Sequence, residues 1–364
     1  MRWEELGIVR TLETSAGGRV LGPLGFAVRE IALPHHVCPE PFGGNGQFYL
    51  GVLAKVGLST LDALDEAERS LGKGYNLRYS GLKDANAVSC QYISADAPIR
   101  AMRGNGWALM PLGRTSVPLD HAFLYGNRFF VQVLGAQRPE LLISLEVGLP
   151  QRKFPNFFGP QRFGLVPPFT HQMGRMILQG EEPEELRRAA PRLRAKLTEL
   201  AVQAYQSYLF NLLLKRRILS LREPLSPHPG DLVAPLNVFG LPNYSLIHRV
   251  EEVVKRGEVL LIPVPGEGVK GNEIYDELLR EEELLPKGVK GWYREASFSP
   301  LSYGAELHKD RAYLSFELKK SQYASVLLHE LLGGEEPIPL RARASSCPAG
   351  TALPPSRLRH PSGP

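Results

Sequence analysis

Residues 181–221 read EEPEELRRAAPRLRAKLTELAVQAYQSYLFNLLLKRRILSL, and the architecture turns on them. Leu197, Leu200, Ala204, Tyr208 and Leu212 recur at helical spacing, which predicts a long helix with that row facing inward. Lys215, Arg216 and Arg217 gather near its end, where cations suit the macrodipole. Pro224, Pro227 and Pro229 then stop it. On both sides the period changes to two. Phe48, Leu50, Val52, Ala54 and Val56 alternate in QFYLGVLAKVG, which predicts a half-buried strand. Ser59 is placed to cap a helix over LDALDEAERSL, with Leu61, Leu64 and Leu71 on one face. AVSCQYIS (87–94), RFFVQVLG (128–135) and RAYLSFELKK (311–320) read as further strands, and SQYASVLLHELL as a helix starting near Ser321. Strand-rich flanks around a helix-rich centre suggest an α+β domain carrying an insertion.

The chain has 364 residues, a soft expectation of two domains. Three distant cysteines, Cys38, Cys90 and Cys347, make no disulfide framework and fit a reducing cytoplasm. The start, MRWEELGIVR, lacks the apolar stretch of an export signal, and no apolar run approaches the ~20 residues of a membrane span. The net charge is +5, of which residues 335–364 supply +2 through four Arg and two Glu. That stretch carries seven prolines and no aromatic residue, so it is expected to be a disordered tail. So mild an excess of cations permits nucleic-acid binding without arguing for it.

GEGVKG (266–271) matches a dinucleotide fingerprint, but Pro263 and Pro265 interrupt the strand before it and the helix after it is acidic. A surface loop is the expectation, with no dinucleotide cofactor. His35, His36 and Cys38 are too few for a zinc site, and GGNG (43–46) reads as a turn, so no metal is expected. GLKD (81–84) lies between a polar stretch and a strand. An aspartate there is a turn residue or a reacting carboxylate, and Lys83 beside it is a solvated charge or a cation that keeps Asp84 ionised. In LYGNRFF (124–130), Asn127 looks like a turn residue and Phe129 like a core aromatic.

Seven stretches in one order resemble the TruD family of pseudouridine synthases: GFAVREI (25–31), YSGLKDANAVSCQ (79–91), LYGNRF (124–129), PNFFGPQRFG (155–164), AYQSYLFN (204–211), HPGDLV (228–233) and LSFELKKSQYASVLLHELL (314–332). The resemblance spans about residues 6–332. It implies an α+β catalytic domain with a mixed, mostly antiparallel sheet, interrupted by a helix-rich insertion domain. The expected division is 1–155 and 291–334 for the catalytic domain, 156–290 for the insertion and 335–364 for the tail. It also implies isomerisation of uridine to pseudouridine in RNA, most often at tRNA position 13, without cofactor. Asp84 aligns with the family's catalytic aspartate, as nucleophile or as base at C2′. The target base has to leave the RNA stack. Phe129 is the stacking partner implied for it, and Asn127 the amide beside the uridine. Phe26 and Tyr323 match pocket aromatics, and Lys83 and Arg128 are further substrate-binding candidates. Arg162, Lys215, Arg216 and Arg217 are candidate contacts to the RNA backbone. Ala85 and Asn86 stand where the family carries basic residues. The expected partner is tRNA, bound by a cytoplasmic monomer with no membrane association. The alternative is an RNA-binding relative of the same fold that is non-catalytic or of altered specificity.

Overall fold

The computed structural model describes residues 2–33, 46–85, 87–120, 123–164, 167–252, 255–282 and 288–334. The stretch 335–364 lies outside them, as do His35, His36, Cys38 and most of GGNG.

Ten strands form the main sheet. They are β1 (Arg19–Val20), β2 (Phe26–Ala32), β3 (Phe48–Lys55), β4 (Arg78–Tyr79), β5 (Val88–Ala95), β6 (Met102–Gly104), β7 (Trp107–Thr115) and β8 (Leu124–Leu134), joined late in the chain by β15 (Ser302–His308) and β16 (Arg311–Lys319). The spatial order is β15-β16-β8-β2-β5-β3-β7-β6, with β1 beside β8 and β4 beside β5. Only β2 and β5 run parallel; every other pairing is antiparallel. The sheet is thus mixed and mostly antiparallel, in an α+β fold.

The middle of the chain builds a second sheet. β10 (Leu232–Pro235), β11 (His248–Arg249), β12 (Glu258–Val264) and β13 (Trp292–Glu295) lie in the order β11-β10-β12-β13. Between the sheets, β9 (Phe154–Pro155) pairs with β14 (Ser297–Phe298). That short ladder ties the chain's departure from the main sheet to its return. The second sheet therefore runs on through Glu295, past the expected return at 290.

Among the helices, α1 is Thr60–Leu71, α2 Glu140–Ser144, α3 Thr170–Leu178, α4 Glu184–Arg188, α5 Pro191–Ser220, α6 Glu273–Glu282 and α7 Ala324–Leu332. Ser59 caps α1 as expected, accepting the Asp62 N–H at 3.1 Å. Ala63, Leu64 and Ala67 face inward there, but Leu61 is exposed. α5 starts on Pro191 and runs 30 residues without a break. It is not the one-stripe helix that Leu197 to Leu212 suggested. Leu197 and Leu200 are exposed, whereas Tyr205, Leu209, Phe210, Leu213 and Leu214 are buried. The later half is enclosed by β12, α6 and the N-terminal turn, so it buries more than one face. Against α3, Gly174 lets the helices touch; a Cβ there would stand 2.0 Å from the Ala201 carbonyl oxygen.

In β3 Gly51, Leu53 and Lys55 are buried on one face; of the predicted row only Leu50 is buried, against Leu119 and Phe123 on the other side. Both faces of the sheet are covered there, α1 lying on the Leu53 side, so alternation alone could not choose the inner face. α7 begins three residues later than expected because Ser321 adopts a left-handed φ of 67°. A single apolar core joins Val131, Phe316 and Leu318 of the main sheet to Phe210 and Leu213 of α5 and to Leu260 and Ile262 of the second sheet.

Candidate active site

Side chains alternate along β2 and β8, so Phe26, Val28 and Glu30 share a face with Val131, Phe129 and Asn127, their register partners. That face floors a cleft of about 300 Å³ whose walls include Leu82, Lys83, Asp84, Gln161, Arg162 and Tyr323. Phe129 stacks on Phe316 at 5.2 Å between ring centroids, and Phe26 leans on it at 6.0 Å. The Asn127 side-chain oxygen is buried with no hydrogen-bond partner, an acceptor left free beside the cleft.

Asn127 is not in a turn. It lies within β8, hydrogen-bonded into the sheet between β2 and β16. Gly126 is there for close approach: a Cβ would stand 2.3 Å from the Leu318 carbonyl oxygen.

The GLKD loop has no secondary structure of its own and is held from below by buried polar groups. Thr60 Oγ1 accepts the Lys83 N–H at 2.8 Å. Gln91 Nε2 donates to the Gly81 carbonyl at 3.3 Å. Lys55 Nζ donates to the carbonyls of Asp84 and Leu58, each at 2.9 Å. Lys83 Nζ meets Glu30 Oε1 at 2.8 Å, and Glu30 Oε2 accepts the Tyr92 N–H at 2.8 Å. The loop thereby presents the Asp84 carboxylate to the cleft, where Gln161 Nε2 approaches Oδ2 at 3.5 Å. Protein crowding desolvates that carboxylate and raises its pKa above the ordinary range, while Lys55 and then Lys83 oppose the rise. Lys55 is itself pulled down to about 8, chiefly by burial, with Asp84 resisting. Sequence reasoning passed over Glu30, Lys55, Thr60 and Gln91. The signal available was a charged side chain in the apolar row of a strand, Glu30 after Phe26 and Val28 and Lys55 after Leu53.

Phe26, Lys83, Asp84, Asn127, Phe129, Arg162 and Tyr323 come together in the cleft. Arg162 is oriented by neutral partners, Ser207 Oγ at 3.1 Å and Gln203 Oε1 at 3.2 Å. Arg128 is a correction. It alternates with Asn127 and Phe129, so it leaves the opposite face of the sheet, where it pairs with its cross-strand neighbour Glu317. Arg217 is a second correction. It is buried, donates to both Asp231 oxygens at 2.9 and 2.6 Å, and is a structural ion pair rather than a free cation. Arg216 pairs with Glu281, and Lys215 is half-buried beside it. The strand before GEGVKG, β12, is antiparallel to both neighbours, so no parallel strand–helix unit seats a pyrophosphate there. Among the described residues no His, Cys, Asp and Glu cluster could hold a metal, and no helix is long and apolar enough to cross a membrane.

Two curated relatives align over almost their whole lengths. A probable tRNA pseudouridine synthase D of Pyrococcus abyssi is 29% identical, over 86% of this chain and 96% of its own. A tRNA pseudouridine synthase D of Anaeromyxobacter is 30% identical, over 91% of this chain and 97% of its own. The crystal structure of a Methanosarcina mazei protein assigned as tRNA pseudouridine synthase D superposes with a TM-score of 0.66 at 25% identity, covering 91% of this chain and 98% of that one. The family model described as tRNA pseudouridine synthase D matches residues 17–184 and again 180–331, well over half of the chain, and the chain belongs to the TruD family of tRNA pseudouridine synthases.

Proposed function

We propose that this chain isomerises uridine 13 of tRNA to pseudouridine, with Asp84 as the reacting carboxylate. The single observation that carries the reading is the convergence, in one cleft, of the Asp84 carboxylate, the free Asn127 acceptor and the Phe129 ring. The C1′–N1 bond breaks and a C1′–C5 bond forms in its place. The proton lost from C5 goes to solvent and N1 gains one, so no oxidant, reductant or other co-reactant is needed. A uridine in folded RNA cannot bring C1′ to Asp84 while stacked, so the nucleotide turns out into the cleft. Its base lies by Phe129 and Phe26, Asn127 takes a hydrogen bond from its edge, and Tyr323 closes the far side. Lys55 and Lys83 favour the ionised form of Asp84. Arg162, already oriented by α5, meets the phosphates between the two sheets.

The test is tritium release from [5-³H]uridine-labelled tRNA with no cofactor added, followed by mapping of the modified position. Release from wild type and none from Asp84→Asn is expected, with tRNA affinity within a few-fold because phosphates dominate binding. Absence of release from any RNA by the folded wild type would favour the non-catalytic reading. Modification elsewhere than position 13 would overturn the position alone.

A further inference from the structure

We propose that Leu82 is a wedge that fills the gap in the RNA stack when the target uridine leaves it. The proposal rests on the reading of the cleft given above. Leu82 is 60% exposed, although it lies on the cleft wall two residues before Asp84. A solitary exposed leucine on a mobile loop would carry no argument, since single exposed apolar residues are ordinary. This one is not on such a loop. Its neighbour Gly81 is held through Gln91, and Lys83 is fixed at its N–H by Thr60 and at its ammonium by Glu30. Asp84 is held by its carbonyl to Lys55. The backbone that carries Leu82 is therefore clamped on both sides by buried groups. Its apolar side chain stands in water at a fixed distance along the chain from the reacting carboxylate.

A nucleotide that turns out of a duplex or stacked loop leaves two neighbouring bases facing a void. Apolar side chains commonly occupy such voids, and the apolar contact they gain offsets part of the cost of unstacking. A wedge on a clamped loop loses little freedom as it inserts. Of the polar side chains nearby, Lys83 is ion-paired, Gln161 leans on Asp84, and Arg162 is bonded to Ser207 and Gln203. Leu82 is apolar, and insertion into the stack removes it from water. On this assignment GLKD joins two devices: a leucine that holds the stack open and an aspartate that meets the sugar so exposed.

The experiment uses full-length protein and a tRNA transcript with 2-aminopurine beside the target uridine. In an Asp84→Asn background, where substrate accumulates unchanged, binding should raise 2-aminopurine fluorescence, and adding Leu82→Ala should abolish most of the rise. With Asp84 intact, Leu82→Ala should lower kcat/KM on folded tRNA about tenfold, the loss expected for withdrawing one leucine from an apolar contact. A short single-stranded RNA carrying the same uridine has no stack to hold open and should lose less than about twofold. Leu82→Met should restore the folded substrate. Equal losses on both RNAs would make Leu82 part of the uridine pocket and overturn the wedge, as would an undiminished fluorescence rise. If the wild type turns over neither RNA, the reading of the site itself has failed; if it turns over both and only the Leu82 arms disagree, the wedge alone has failed.

Discussion

Two ion pairs are buried among the described residues, Lys83–Glu30 and Arg217–Asp231, and they are built differently. Arg217 and Asp231, between α5 and the second sheet, form a saturated pair. The guanidinium donates twice to Asp231 and also to the carbonyls of Pro224 and Ser226, and Asp231 further accepts from the His228 N–H and from Asn272. Lys83 and Glu30, beneath the cleft, meet through one contact, next to a second buried lysine. The planar arginine fork fixes direction and cannot lose its proton, which suits architecture. A lysine is a compact charge whose proton can be withdrawn, which suits a place where a neighbouring carboxylate must be tuned. The first pair holds the middle of the chain together; on the proposed function the second serves the chemistry.

The hardest blow to that contrast would come from Arg217→Ala. It leaves Asp231 buried and unpaired, so a loss of about 3–5 kcal/mol is expected in denaturant titration, with turnover per folded molecule unchanged. A small stability loss accompanied by a large fall in tRNA affinity would put Arg217 at the RNA instead. A gentler measurement sharpens the other side. The Lys55 pKa falls from 10.5 to about 8 on folding. Between those values the unfolded chain binds the extra proton, so wild-type stability should rise with pH across that window, whereas below about 8 the cost of the buried charge is fully present. Lys55→Met has no such proton, so its denaturant midpoint should decline relative to wild type as pH climbs from 8 to 10. A constant offset between the two curves would remove Lys55 from the electrostatics of the site. The smallest effect belongs to Arg128, whose pair with Glu317 is open to water. Arg128→Ala should change stability by less than about 1 kcal/mol and turnover by less than about twofold. A tenfold drop in turnover would mean that the far face of the sheet takes part.

How much of this was legible in the sequence follows from what each feature depends on. The strands over 87–94, 128–135 and 311–320 could be read because alternation is local, and the Ser59 cap because it is a neighbour effect. Asp84, Asn127 and Phe129 were picked out by resemblance, since spacing alone left Asp84 either a turn residue or a reacting carboxylate and Asn127 a turn residue. The Gly126–Asn127 pair misled because glycine serves close approach as well as turns, and only the partner strand β16 tells the two apart. Arg128 was misplaced by one register step, a matter of which strand face is inward. Arg217 read as one of three equivalent cations because Asp231 lies fourteen residues on, and nothing local joins them. Lys55 and Glu30 went unnoticed for the same reason: each is a lone charge until the fold brings GLKD above it.

The β9–β14 ladder and the core that crosses it bear on how far the middle of the chain can be exchanged. A segment clasped at its two ends and merged with its host's interior is a keystone rather than a cartridge. Swapping it for another block would strip Phe210, Leu260 and their neighbours from the core shared with the main sheet. Exchange of the segment between the joints at 155 and 297 should therefore cost the main sheet its stability as well.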